Sequence, residues 1–247
     1  MNHYKIFTAG HSAALDYAIH ALKRCNHEIV ASSETATHLL LPVPSFLSDG
    51  SLQGGGNLEE LLSRCPKAIT VIGGNLKHPA LTHYKTVDLL QDPLYLAENA
   101  NITAHCAISL AMHKLPFILP DCPVLIIGWG RIGKCLTHLL QAIGCNVTVA
   151  ARKDADRAML QALGYNAISP DVIKPNDYAL LFNTVPATVL TDCMGDSLKI
   201  DLASCPGMTG EGIIWARGLP SKDAPASSGA LIAQTVIRLL KKEEEQL

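Results

Sequence analysis

The sequence predicts an α/β protein with parallel sheets, and three observations favour that class. Apolar segments of strand length alternate with segments of helical periodicity along all 247 residues. The chain is 48% hydrophobic and only 17% charged, so it has enough apolar material for a buried core and does not have the composition of a disordered chain. The longest apolar runs, such as Val124–Ile127, are far shorter than the ~18 residues of a membrane span.

The charge balance argues against nucleic acid and membrane partners. The chain carries 20 Lys and Arg against 22 Asp and Glu, a formal net charge of -2. Binding to nucleic acid needs a basic excess that displaces counterions from the phosphates. Residues 1–10 contain one lysine and lack the apolar core of a signal peptide. We therefore expect a soluble, cytoplasmic protein that binds a small molecule.

Residues 1–115 predict a smaller, flavodoxin-like α/β domain. Ser12 is a plausible N-cap for a helix over residues 12–24, where apolar side chains recur at helical spacing. Residues 99–114 predict a nearly continuous apolar helix between the domains. The composition of Pro42–Asn57 indicates a long loop, which is either a lid or binding segment or a disordered stretch. The predicted strands are Tyr4–Thr8, Glu28–Ala31, Thr37–Leu41, Ala68–Ile72 and Thr86–Leu89.

Residues 116–225 predict a second, doubly wound domain with a parallel sheet. Three prolines between residues 115 and 123 end the preceding helix and mark the boundary. The predicted strands are Val124–Ile127, Asn146–Ala150, Ala167–Ser169, Tyr178–Thr184, Leu198–Leu202 and Gly212–Trp215. The predicted helices are Ile132–Ile143 and residues 154–163, each followed by a glycine, and a last amphipathic helix, Ser227–Leu240, within the terminal segment 226–247.

The eight cysteines and ten histidines do not predict a metal site. No two cysteines form a C-x-x-C pair, and His78 and His83 lack the H-E-x-x-H context of a zinc helix. Buried free thiols and ordinary surface or hydrogen-bonded histidines are the simpler interpretation.

The glycine motif Gly128-Trp129-Gly130-Arg131-Ile132-Gly133 predicts dinucleotide binding. The motif directly follows an apolar strand, opens a helix and is followed by a second strand, which is the Rossmann context. Its first glycine permits a tight turn, its second lets backbone amides approach a pyrophosphate, and its third allows the helix to pack against the sheet. The alternative is a glycine-rich turn that has lost its cofactor.

The end of the second strand in this domain predicts NADP rather than NAD. An NAD site usually has Asp or Glu there to bind the ribose 2′-hydroxyl, whereas this strand is followed by Ala151, Arg152 and Lys153. A guanidinium binds a 2′-phosphate through two charge-assisted hydrogen bonds, and a carboxylate would repel it. The alternative is that Arg152 and Lys153 are ordinary exposed cations.

Polar turns follow the later strands of the same domain and should complete the site. Asn183, Thr184, Val185 and Pro186 follow the fourth strand, and the segment Asp201–Gly207, which contains Ser204, follows the fifth. Ligands of open α/β sheets bind at the carboxyl ends of the strands. Each turn taken singly fits mere turn chemistry, but several turns at one sheet edge indicate a site. No Ser-His-Asp arrangement is visible, which argues against a hydrolase.

These motifs together resemble the family of dipicolinate synthase A subunits. The resemblance rests on Val124–Gly133, Asn183–Pro186, Asp201–Gly207, Gly218–Pro220 and the approach to the last helix. It implies an NADP-dependent oxidoreductase of spore formation that converts dihydrodipicolinate to pyridine-2,6-dicarboxylate together with a flavoprotein-like B subunit. It also implies a terminal helix that returns to the first domain.

Several residues depart from the family pattern and leave the substrate open. Cys205 stands where the family usually has arginine, His105-Cys106 where Glu-Gly is commoner, and Arg217 where proline is usual. The first domain also looks shorter than in the family. Two other interpretations therefore stay open: a non-catalytic, regulatory protein that binds NADP, and an NADP-linked dehydrogenase or reductase of another small acid. The fold commonly pairs through such domains, so a homo-oligomer fits as well.

The proposed chemistry assigns catalytic roles to His105 and Arg217. Histidine has an ordinary pKa near neutrality and suits a proton acceptor, and arginine suits a substrate carboxylate. Thr103, at the start of the inter-domain helix, and Ser204 are the expected substrate contacts. A buried structural role is the alternative for His105, and we expect Asp201, at a strand end, to be structural.

Overall fold

This computed structural model describes residues 4–193 and 195–245. The chain divides into two units, Met1–Asn99 with Pro220–Leu247, and Ala100–Leu219. The sequence instead predicts limits at 115/116 and 225/226. The long helix that contains residues 99 and 100 crosses the first of the structural limits.

The first unit is built on a five-stranded parallel sheet. Its elements are β1 (Lys5–Thr8), α1 (Ala13–Arg24), β2 (Glu28–Ile29), β3 (His38–Leu40), α2 (Leu58–Arg64), β4 (Thr70–Gly73), β5 (Lys85–Asp88) and the first residues of α3 (Pro93–Lys114), which continues into the second unit. The strand order is β2-β1-β3-β4-β5, which is the flavodoxin-like order that the sequence predicts. Ser12 caps α1 by accepting a hydrogen bond from the Leu15 amide at 3.1 Å, as predicted.

The loop over residues 42–57 is fixed to the carboxyl edge of this sheet. The Ser45 amide donates to the Gly74 carbonyl, and the Gln53 amide donates to the Ser45 carbonyl, both at 2.8 Å. The His11 amide, which follows β1, donates to the Gln53 carbonyl at 2.9 Å. Because main-chain hydrogen bonds join the loop to two strand ends, the interpretation of this loop as disordered is wrong.

The second unit contains a six-stranded parallel sheet. Its elements are β6 (Pro123–Ile127), α4 (Arg131–Ile143), β7 (Asn146–Ala150), α5 (Asp154–Ala162), β8 (Asn166–Ile168), β9 (Leu180–Asn183), β10 (Leu190–Cys193), β11 (Leu198–Asp201), β12 (Met208–Gly210) and β13 (Ile213–Trp215). The strand order β13-β11-β9-β6-β7-β8 is that of a doubly wound Rossmann sheet, so the predicted fold class is confirmed. Strand β6 lies at the centre, and Val124–Ile127 are buried on both faces.

Several elements differ from those that the sequence predicts, and the helices over Leu58–Arg64 and Leu219–Asp223 have no predicted counterpart. Strands β10 and β12 form a separate two-stranded parallel sheet, which the sequence does not predict. Helix α3 begins at Pro93 rather than at residue 99. Proline is favoured in the first turn of a helix, and the Asp92 carboxylate accepts a hydrogen bond from the Tyr95 amide at 2.8 Å.

The end of the chain returns to the first unit. Helices α6 (Leu219–Asp223) and α7 (Pro225–Glu244) follow β13, and α7 packs along α1. The two helices approach closely because Gly229 has no side chain: a Cβ there would lie 2.5 Å from the Ala14 carbonyl oxygen. The return of the terminal helix to the first domain is therefore confirmed.

A cluster of polar side chains holds the end of α7 against the start of the first sheet. The Glu243 carboxylate lies 3.3 Å from His38 Nε2 and accepts a hydrogen bond from Lys85 Nζ. The Tyr4 hydroxyl donates to the Leu240 carbonyl at 3.1 Å, and its ring contacts the His38 ring edge-on. Burial lowers the pKa of His38 more than the neighbouring Glu243 raises it. Burial alone would raise the pKa of Glu243, but Lys85 and His38 together lower it.

We predict that acidification weakens this attachment. The pKa of His38 is below 6.5 in the folded chain, so the unfolded chain binds this proton first, and stability falls as the pH drops from 6.5 through the folded value. The pKa of Glu243 is below its ordinary 4.5, so its contribution is lost at still lower pH. Each unit of lowered pKa is worth about 1.4 kcal/mol. Urea unfolding at pH 7.5, 6 and 5 measures the loss in the free energy of unfolding. If a His38→Gln variant loses as much stability over this range as the unaltered protein, His38 is not the group responsible.

Candidate functional site

The carboxyl ends of the central strands in the second sheet lie side by side. Ile127 pairs in register with Ala150 and Asn183, Asn183 pairs with Asp201, and Asp201 pairs with Trp215. The residues that follow these strands therefore lie along one edge. This edge, which we call the ligand edge, consists of residues 128–131, 151–153, 184–186, 202–207 and 216–217.

The three glycines after β6 have different structural roles. Gly128 has a φ of +104°, and a Cβ there would lie 2.5 Å from Thr184 Oγ1. A Cβ on Gly133 would overlap the Gly128 carbonyl oxygen, because helix α4 packs closely against the turn. Gly130 differs from both, since its φ is −82° and a Cβ there would meet nothing within 4 Å. The protein itself therefore does not require a glycine at position 130.

The start of helix α4 is suited to an anion. Gly130 occupies the N-cap and supplies no side-chain hydrogen bond to the first amides of the helix. Those amides and the positive end of the helix dipole favour a phosphate group at this point. Together with the open space beside Gly130, this arrangement fits the pyrophosphate of a dinucleotide.

The other residues of the glycine motif surround this helix start. Arg131 is exposed and Ile132 is half-buried in the first turn of α4. The Trp129 ring lies 6.2 Å from the Tyr165 ring, and Lys134 Nζ lies 5.6 Å from its centroid. The half-buried Trp129 indole thus lies near Tyr165 and Lys134. Lys134 adds a cation in the first turn of α4 that was not predicted, although it directly follows the last glycine of the motif.

The end of strand β7 presents two exposed cations, and a third cation supports its main chain. Arg152 and Lys153 are both exposed. Arg157 donates hydrogen bonds to the Ala151 carbonyl at 2.7 Å and to the Arg152 carbonyl at 2.9 Å. Arg157 also forms an ion pair with Asp154, the first carboxylate after the strand. Arg157 was not predicted as a site residue, and it both fixes the main chain at the end of β7 and partly neutralises that carboxylate.

Side chains after strand β9 hold the turn in shape. Asn183 is fully buried, and its amide group donates to Val185 O at 3.1 Å and to Asp201 Oδ1 at 2.9 Å. The Thr184 hydroxyl donates to the Ile127 carbonyl at 2.9 Å. These two side chains therefore shape the turn, whereas Val185 is half-buried against the core of the unit and Pro186 is exposed.

Asp201 joins two of the loops at the ligand edge. Besides the bond from Asn183, its carboxylate accepts hydrogen bonds from the amides of Ala203 at 3.0 Å, Gly207 at 2.7 Å and Met208 at 3.1 Å. The side chain is fully buried. The structural role expected for Asp201 is confirmed.

The end of strand β13 places an arginine on an aromatic ring. The Arg217 guanidinium carbon lies 5.3 Å from the centroid of the Trp215 ring. The Trp215 indole N–H donates to the Ala203 carbonyl at 3.0 Å, next to the exposed Ser204. Arg217 and Ser204, which the sequence predicts as site residues, thus lie on neighbouring turns of the ligand edge.

The two predicted site residues on α3 have different environments. Thr103 is buried, whereas His105 is exposed. Residues two positions apart on a helix do not face the same way. The interpretation of His105 as a buried structural histidine is wrong, and its role as a proton acceptor stays a prediction.

The cysteines and potential metal ligands form no cluster in the part of the chain that the structure describes. No group of three or more His, Cys, Asp or Glu side chains is arranged there to hold a metal ion. No disulfide joins the cysteines, all of which lie within the described residues, and Cys25 and Cys205 are exposed. Burial, with a smaller contribution from Cys122, raises the pKa of Cys145 to about 11, so this thiol stays protonated at neutral pH.

Comparison with known proteins identifies a relative over most of the chain. No protein-family model matches the sequence. The chain is similar to the A subunit of dipicolinate synthase from Bacillus subtilis (strain 168), with 27% identity over 254 residues that cover 92% of this chain and 84% of the relative. The similarity to this A subunit extends over most of both chains.

Solved structures show that the fold of the dipicolinate synthase A subunits is conserved here. The structure of the protein from Bacillus halodurans superimposes with a TM-score of 0.84 at 21% identity, covering 96% of this chain and 97% of that one. The protein from Bacillus subtilis gives a TM-score of 0.83 at 22% identity, with 100% and 99% covered. A transhydrogenase from Sinorhizobium meliloti shares the fold at a TM-score of 0.70 and 14% identity, with 97% and 94% covered.

The described helices do not include a membrane span. Within residues 4–193 and 195–245, no helix is both long enough and apolar enough to cross a bilayer.

Proposed function

We propose that the chain binds NADP at the ligand edge and oxidises dihydrodipicolinate to dipicolinate as the A subunit of a dipicolinate synthase. The observation that carries this proposal is the uncapped start of α4, with open space at Gly130, beside a strand end that bears Arg152 and Lys153. The homology to the dipicolinate synthase A subunits supports the substrate, and it supports a partner in the form of a B subunit. We propose that the enzyme acts in the cytoplasm during sporulation.

The preference for NADP over NAD rests on the charges after β7. Arg152 and Lys153 are exposed, and neither takes part in an ion pair found within the described residues. Their charged groups are therefore available to a 2′-phosphate. Asp154, which would otherwise repel that phosphate, is paired with Arg157.

The remaining site residues are assigned to the substrate. NADP supplies the hydride acceptor when it is bound. Arg217 binds one carboxylate of the substrate, Ser204 contacts the substrate, and His105 accepts the proton that leaves with oxidation. The substrate contact expected of Thr103 is not retained, because Thr103 is buried and faces a different way from His105. The turns at Asn183–Pro186 and Asp201–Gly207 form the wall at which the substrate is aligned.

We predict that Arg152→Ala lowers the affinity for NADPH and leaves the affinity for NADH nearly unchanged. Loss of a charge-assisted hydrogen bond to a phosphate weakens binding by about 10- to 100-fold. Isothermal titration calorimetry of both nucleotides with both proteins measures the difference. Lys23→Ala, which removes an exposed cation from α1 in the other unit, is the matched control. Equal losses for NADPH and NADH in Arg152→Ala, or tighter binding of NADH to the unaltered protein, would contradict the NADP assignment.

The reaction itself is tested by dipicolinate formation. The chain, alone and with a B subunit, is incubated with the dihydrodipicolinate precursor and NADP, and the pyridine product is measured. Product formation supports the proposal. NADPH binding without product in either combination would favour a non-catalytic, regulatory protein that binds NADP, and NADPH oxidation with another small acid or imine would favour a different reductase.

A further inference from the structure

Trp215 occupies an unusual position for a large aromatic residue. It ends strand β13, pairs in register with Asp201 and directly precedes residues 216–217 of the ligand edge. The side chain is 46% exposed, although burial of its ring would be favourable. A half-exposed tryptophan at a strand end where ligands bind calls for an explanation beyond packing.

The Trp215 side chain makes two contacts, one with a backbone carbonyl and one with an arginine. Its indole N–H, the only hydrogen-bond donor of the side chain, is directed at the Ala203 carbonyl at 3.0 Å. The Arg217 guanidinium lies over the ring at 5.3 Å. The ring therefore links Arg217 to the turn that contains Ser204 and Cys205.

A cation–π contact with a ring restrains an arginine without occupying its hydrogen-bond donors. The attraction between a guanidinium and the face of a ring uses no hydrogen-bond acceptor, and the five N–H groups of an arginine form a planar fork. Within the described residues, Arg217 takes part in no ion pair, and no hydrogen bond involves its side chain. These donors are thus available to a carboxylate, which can form two parallel hydrogen bonds with a guanidinium.

We propose that Trp215 is a positioning residue that presents the Arg217 guanidinium to a carboxylate of the substrate beside Ser204. Without the ring, an exposed arginine samples many rotamers, and ordering it on binding lowers the affinity. The proposal rests on the proposed function, because it assumes that Arg217 binds the substrate.

The test compares Trp215→Leu, which removes both contacts, with Trp215→Phe, which keeps an aromatic face and loses the N–H. The KM and kcat are measured at saturating NADP, and binding of pyridine-2,6-dicarboxylate to the NADP-loaded protein is measured by calorimetry. Trp215→Leu is expected to raise KM and weaken dicarboxylate binding about tenfold, and Trp215→Phe about threefold, with kcat and NADPH affinity changed less than twofold. If Trp215→Leu does not fold, the proposal is tested by the effect of Trp215→Phe on KM and dicarboxylate binding alone.

Double variants show whether Trp215 acts through Arg217. Arg217→Ala is expected to weaken dicarboxylate binding at least tenfold, and the double variant with Trp215→Leu should bind no more weakly than Arg217→Ala alone. A further variant adds Cys205→Arg to the Arg217→Ala protein. It supplies a new guanidinium group from Cys205, an exposed position two residues after Ala203. We expect this variant to recover dicarboxylate binding and to be insensitive to Trp215→Leu.

The outcomes separate this proposal from the function on which it rests. Additive losses in the double variant, or a parallel fall in kcat and NADPH affinity, would overturn the positioning role. If Arg217→Ala weakens dicarboxylate binding and neither Trp215 variant does, the positioning role is overturned, but the substrate role of Arg217 is not. Unchanged dicarboxylate binding in Arg217→Ala would overturn both.

Discussion

Replacing Gly130 by aspartate is expected to abolish nucleotide binding while the protein remains as stable as before, or becomes slightly more stable. A Cβ at this position meets nothing within 4 Å, and its φ of −82° suits any residue. Aspartate is a preferred N-cap and would satisfy a free amide of α4, which is worth a few tenths of a kcal/mol over glycine. The same carboxylate would occupy the anion position and repel the phosphates. We expect a loss of NADPH affinity of more than about 100-fold, measured by calorimetry.

Two further glycine variants provide the controls. Gly130→Ala tests the space without the charge and should bind NADPH more weakly than the unaltered protein but more tightly than Gly130→Asp. In Gly133→Ala the added methyl group overlaps the Gly128 carbonyl, so it should lower the melting temperature, since overpacking costs about 1–3 kcal/mol. A Gly130→Asp protein that folds and still binds NADPH at the original affinity would show that the phosphates do not lie at the start of α4.

Asp201→Ala is expected to have the largest effect on stability. The substitution leaves four N–H groups that now donate to one buried carboxylate without acceptors: those of Ala203, Gly207 and Met208 and the side-chain amide of Asn183. Each unsatisfied buried donor costs about 1–3 kcal/mol, so we expect a loss of at least about 3 kcal/mol in the free energy of unfolding. Urea denaturation followed by circular dichroism measures it.

The isosteric variant distinguishes acceptor loss from cavity formation. Asp201→Asn keeps the volume but turns one acceptor into a donor that faces other donors, so it should destabilise nearly as much as Asp201→Ala. Asp196→Asn, on an exposed loop of the same unit, should change stability by less than about 0.5 kcal/mol. If Asp201→Asn were as mild as Asp196→Asn, the carboxylate would not be the junction between the loops.

The sequence predicts the framework of this protein because its signals are local. The apolar segment Val124–Ile127 and the glycine motif after it define one strand, one turn and one helix without reference to the rest of the chain. Ser12 likewise marks the start of α1 through a contact three residues away. The sheet orders and the return of the terminal helix were predicted from the alternation of elements and from the resemblance to a family.

The features that the sequence did not predict depend on contacts across the chain. Strands β10 and β12 are 3–4 residues long and stabilise each other, so neither shows a pattern of its own. The inward orientation of Asn183 depends on Asp201, 18 positions later. In the sequence, Arg157 is indistinguishable from an ordinary arginine on a helix surface. Only the fold brings it to the carbonyls at the end of β7.

The distribution of indole groups has an optical consequence. The chain has two tryptophans, and both lie in the second unit: Trp129 in the turn after β6 and Trp215 at the end of β13. Indole emission excited in the ultraviolet therefore reports on one edge of one sheet. The unaltered protein carries a built-in fluorescent reporter of whatever occupies that edge, and reduced nicotinamide, which absorbs where indole emits, should quench it by energy transfer.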